Sequence, residues 1–118
     1  MRIESVYIPR MEKYATYHIG QHAKDNFAVI DSSMSREDIW FHAQHDSSCH
    51  VLCLVPPGID KAIRKSLVKQ GALLCKTHTA KLRCEKNVPI IYAEIENVKK
   101  THVEGQVSIE GKYKTVII

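Results

Sequence analysis

The chain has 118 residues, 44% hydrophobic and 25% charged, with four cysteines and a formal net charge of +4. That length supports one domain with a real core, and the composition excludes intrinsic disorder and a disulfide-dense scaffold. No apolar run approaches the roughly 20 residues of a membrane helix, and the opening Met1–Tyr7 lacks the apolar stretch of a signal peptide. The expectation is a single domain over residues 1–118, cytoplasmic, without a membrane partner and with reduced thiols at Cys49, Cys53, Cys75 and Cys84.

In chain order, Arg2 to Ile8 alternates loosely and reads as a strand ending at Pro9. Tyr14 to Ile19 reads as a second strand, with Ala15, Tyr17 and Ile19 on one face and Tyr14, Thr16 and His18 on the other. Gly20 ends it. Ala23 to Ile30 reads as a short helix, with Phe27 and Ile30 three apart. Ser32 to Ser35 is a turn-rich connection. Asp38 to Ala43 is a third strand, and His50 to Val55 a fourth. Val51 to Val55 is continuously apolar, which places that strand centrally, covered on both faces.

Pro56-Pro57-Gly58 breaks the chain before a long helix, about 60 to 76. Ile63, Leu67, Gly71, Leu74 and Cys75 form its apolar stripe. Asp60 suits the N-terminal cap and Lys76 the C-terminal end. Val88 to Ile95 is a strand, and Val103 to Ile109 with Tyr113 to Ile118 reads as a closing hairpin around Glu110-Gly111-Lys112. Strands outnumber helices and mostly follow one another directly, which predicts an α+β fold with a largely antiparallel sheet.

Charge divides unevenly. Residues 1–58 carry five Lys/Arg against seven Asp/Glu, and residues 59–118 carry twelve against six. The basic half points to a polyanion partner or to an ordinary solvated surface. Lys61, Arg64, Lys65, Lys69 and Lys76 line the long helix, with the same two readings.

The segment Arg36–Leu54 concentrates the chemistry. It holds the single tryptophan, three of the seven histidines and two cysteines. On a strand Asp38, Trp40 and His42 share one face while Ile39, Phe41 and Ala43 take the other. An acid, an indole and an imidazole in a row can stack a base and bond its edge, or can brace one another inside the fold. A zinc site from His42, His45, Cys49, His50 and Cys53 fits the ligand types. Its spacing matches no common finger, and Cys49 and Cys53 lie about 13 Å apart on an extended strand. Ser47 or Ser48 with His42, His50 and Asp38 offers the members of a nucleophilic triad, without a nucleophile-elbow sequence. No Gly-rich phosphate loop is present. No metal or cofactor is expected.

Three blocks carry a resemblance: Gly20-Gln21-His22-Ala23-Lys24-Asp25-Asn26, then Asp38-Ile39-Trp40-Phe41-His42, then Ser47-Ser48-Cys49-His50-Val51. They resemble, in order, the motifs of the NFACT-R domain, and Val88–Tyr92 and Asn97–Lys100 resemble its later segments. The family occurs in large proteins of ribosome-associated quality control and as the front part of a eukaryotic coiled-coil-domain protein, the form this chain looks most like. The resemblance implies an RNA-binding module without catalytic activity of its own, directed at tRNA or ribosomal RNA. The motif positions it picks out are Gly20, Asn26, Asp38, Trp40, His42, Ser48 and His50. Lys61, Arg64, Lys65, Lys69, Lys99 and Lys100 would contact phosphate, and Trp40, His42 and His50 would shape or stack. Two alternatives stand beside this: a protein-interaction module docking on a ribosomal or helicase partner, and a small hydrolase or nucleotide-processing enzyme using Asp38, His42, Ser48 and His50.

Overall fold

The computed structural model describes all 118 residues. Its elements run β1 (Arg2–Ile8), β2 (Lys13–Ile19), α1 (Ala23–Asp31), β3 (Ile39–Ala43), β4 (Val51–Leu54), α2 (Lys61–Thr77), β5 (Pro89–Glu94), β6 (Val98–Lys100), β7 (Val107–Ile109) and β8 (Lys114–Ile117). Single turns of 3-10 helix at Pro9–Met11 and Ile95–Asn97 join β1 to β2 and β5 to β6. Six strands form one antiparallel sheet in the order β1-β2-β4-β3-β5-β8, and β6 and β7 form a separate ribbon.

The α+β class follows from two layers on one twisted sheet. Alternation sends Tyr17, Ile19, Ile39, Phe41, Val51 and Cys53 to one face, where Leu67, Val68, Ala72 and Cys75 of α2 complete the larger core. It sends Trp40, Leu52 and Ala93 to the other, where Val29 of α1 and Val98 of β6 cover them. The central position expected for β4 holds: it lies between β2 and β3. Asp60 caps α2, its Oδ1 accepting the Ile63 N–H at 2.9 Å. Gly71 lets α2 settle onto the sheet, because a Cβ there would collide with the Phe41 ring.

The closing hairpin expected from Val103–Ile109 and Tyr113–Ile118 does not form. β7 pairs with β6, and β8 pairs with β5 at the sheet edge. The turn-like Glu110-Gly111-Lys112 misleads because it is an exit from one ladder rather than a hairpin tip. The Glu110 N–H donates to the Asn97 carbonyl at 2.7 Å. Gly111, at φ +92°, then redirects the chain to the main sheet, a conformation that costs glycine little.

Candidate nucleic-acid interface

The face away from α2 carries a cleft of about 940 Å³. Its floor is Trp40 and His42 of β3, His50 at the entry to β4, and Ile91 of β5. Its walls come from the N-terminal turn of α1, the β3–β4 loop, the residues after α2 and the β6–β7 turn. Gly105, at φ +81°, brings that last turn against α1: a Cβ on it would lie 2.7 Å from Ala23 Cα.

The motif residues divide by what they hold. Asp38 does not join the row of Trp40 and His42. It is buried, with Oδ2 accepting the N–H groups of Met34 (2.8 Å) and Ser35 (3.1 Å) and Oδ1 that of Val55 (2.9 Å). A carboxylate accepting three backbone donors ties the turn before β3 to the end of β4. Gly20 and Asn26 work as a pair. The Gly20 N–H donates to the His50 carbonyl at 2.9 Å, and Asn26 Oδ1 accepts the His50 N–H at 3.1 Å. A side chain on Gly20 would run into Asn26 Oδ1.

Ser48 closes the β3–β4 loop. Its Oγ accepts the Ala43 N–H at 3.0 Å and donates to the Cys49 carbonyl at 3.0 Å, with Cys75 Sγ at 3.7 Å. No imidazole bonds the Ser47 or Ser48 hydroxyl, and Asp38 bonds backbone N–H groups rather than a histidine, so the triad arrangement is not assembled. No three His, Cys, Asp or Glu side chains are placed to hold a metal ion. Cys49, Cys53 and Cys75 are buried free thiols and Cys84 an exposed one.

Trp40 is 1% exposed, so its ring is core rather than a surface platform. It organises the two histidines. Its indole N–H donates to His50 Nδ1 at 3.1 Å, and its ring lies parallel to His42, 7° between planes at 5.8 Å. An indole nitrogen only donates, so His50 Nδ1 is the acceptor and its proton sits on Nε2. His42 Nδ1 faces the Ala43 carbonyl at 2.6 Å; a carbonyl only accepts, so this nitrogen carries the proton and Nε2 is bare. Burial pushes both imidazoles below the usual histidine range. His50, further disfavoured by His42, falls to about 3. Both are therefore neutral at pH 7, and neither gains charge as a phosphate contact near pH 6.5, as an unperturbed histidine would.

The basic residues expected to bind phosphate are not one patch. Lys61, Lys65 and Lys69 are exposed on α2, across the sheet from the cleft. Arg64 there pairs with Glu94 at 3.6 Å. Lys99 and Lys100 lie on β6, on the cleft side of the sheet; Lys100 pairs with Asp31 and sits 5.2 Å over the Phe27 ring. Sequence reading missed Lys81, which pairs with Asp46 of the cleft at 4.0 Å, and the exposed amides Gln21, Gln44 and Gln106, contributed by three separate segments. Only Gln21 lay inside a recognisable motif; nothing in the spacing marks the others.

Residues 6–115 match the family model described as the NFACT protein RNA binding domain. The chain belongs to that family, which covers nearly its whole length. The fold is shared with the C-terminal part of the fibronectin/fibrinogen-binding protein from Streptococcus suis, over 88% of this chain at 19% identity and a TM-score of 0.73. This chain spans 40% of that solved chain. No curated protein matches the chain significantly.

Proposed function

We propose that this domain binds RNA, with structured RNA such as tRNA or ribosomal RNA as its target, and serves translation or ribosome-associated quality control in the cytoplasm. The observation that carries the reading is the match to an RNA-binding family over residues 6–115. The surface supports it: Lys61, Lys65, Lys69 and Lys99 are exposed and enter no ion pair, which leaves them free for phosphate. Arg64 and Lys100 would first have to leave Glu94 and Asp31. His42 and His50 contribute a neutral polar floor rather than charge. A binding module rather than an enzyme is favoured by the Ser48 hydroxyl, which is spent on the loop backbone.

Fluorescence anisotropy with tRNA and ribosomal RNA fragments over a salt series tests this. Neutralising Lys61, Lys65 and Lys69 together by alanine tests the α2 face and should flatten the slope of log affinity against log salt by about 2 to 3, and Lys99→Ala tests the opposite face separately. Absence of binding at low salt would overturn the reading and turn attention to protein partners.

A further inference from the structure

We propose that the cleft above His42 and His50 receives one unpaired nucleobase, bonded by its edge, while the sugar-phosphate chain stays outside. This rests on the RNA-binding reading and names what the cleft takes. The two imidazoles present a fixed pair of functions. His50 Nε2–H is a donor, because Nδ1 is occupied by the Trp40 indole; His42 Nε2 is an acceptor, because Nδ1–H is spent on the Ala43 carbonyl. The ring centroids are 5.0 Å apart. Both residues line the cleft, His42 half-buried and His50 at its base with 2% exposure, and neither Nε2 is a fully buried atom left without a partner, so what access His50 keeps includes that nitrogen.

A neighbouring donor and acceptor complement the edge of a base, which offers an N–H group beside a bare nitrogen or a carbonyl. They do not suit a phosphate, whose oxygens are all acceptors and would meet the His42 lone pair. Charge agrees. No lysine or arginine lines the cleft, whereas the carboxylates Asp46 and Glu104 do. Gln21, Gln44 and Gln106, each with a donor and an acceptor, surround the floor and complete the contacts to a ring. Cations stand around it rather than in it: Lys81, paired with Asp46, is close enough to oppose a charge on His42, and Arg2 and Arg83 on the lining His78. The chemistry is therefore base inward, phosphate outward.

The test uses the full chain with 15N label. Adenosine, guanosine, cytidine and uridine are titrated against ribose 5-phosphate, and the Trp40 indole N–H and the ring nitrogens of His42 and His50 are followed by NMR. Nucleosides should shift these signals and ribose 5-phosphate should not. In parallel, a single-stranded RNA heptamer should bind about tenfold more tightly than an abasic heptamer with the same phosphates. His42→Phe, which keeps a ring but loses the acceptor, should abolish the nucleoside shifts and remove the preference for bases while leaving the salt slope intact. Equal binding of both heptamers, or no nucleoside response in the wild-type chain, would overturn the base site. If RNA still bound with a steep salt slope, the RNA-binding reading would survive that loss. If nucleosides bound and neither RNA did, the RNA reading would fail instead.

Discussion

The Gly20–Asn26 pair makes a prediction that only this geometry produces. In Gly20→Ala the new methyl group would strike Asn26 Oδ1, the acceptor for the His50 N–H, and would still sit 3.0 Å from Asn26 Cα. Overpacking and a strained buried hydrogen bond together should cost roughly 2–4 kcal/mol. Asn26→Ala alone leaves the buried His50 N–H without its acceptor, about 1–3 kcal/mol. In the double variant the carboxamide that caused the collision is gone, while the backbone contact at Cα remains. The combined loss should therefore fall short of the sum by about 1–2 kcal/mol. Urea unfolding followed by Trp40, the single tryptophan and a buried one, measures all three. Losses that add to within about 0.5 kcal/mol would refute the collision as the reason for glycine at this position.

Acid should destabilise the fold through His50. Its proton affinity is depressed from 6.5 to about 3 on folding, so the unfolded chain binds the proton first. Stability is complete above pH 6.5 and falls as pH drops toward 3, reaching about 2 kcal/mol of loss at pH 5. His18, His42 and His78 are also lowered, each chiefly by burial, and act in the same direction. Urea midpoints at pH 7.5 and 5 measure the total, and His50→Gln, which cannot take up that proton, should reduce the difference. Asp38→Ala should cost roughly 3–5 kcal/mol, because three backbone N–H groups lose their acceptor; calorimetry giving less than about 1 kcal/mol would show that water replaces the carboxylate. Gly71→Ala should cost about 1–3 kcal/mol by forcing Phe41 aside, with partial recovery in combination with Phe41→Leu in the same unfolding assay.

Local pattern carried much of this protein. The alternation in Ile39–Ala43 assigned Phe41 to one side and Trp40 to the other, and both sides proved to be there. The apolar stripe and the Asp60 cap located α2 to within a residue. These signals are legible because the repeat of a helix or strand depends only on neighbours along the chain. The NFACT-R motifs were also visible as blocks, but their roles were not. A linear reading leaves Asp38 and Trp40 open between base contact and internal bracing, and the structure buries both, since what covers a strand face comes from elements far away in sequence. The same holds for the last strands: whether β7 pairs with β6 or β8 depends on competition between ladders, and a glycine-centred turn marks a bend without naming its partners. The basic residues formed one list along the chain and lie on opposite faces of the sheet. Above all, the tautomers of His42 and His50 were decided by tertiary contacts with a carbonyl and an indole. Those contacts turn two ordinary histidines into a fixed acceptor and donor, which no sequence spacing specifies.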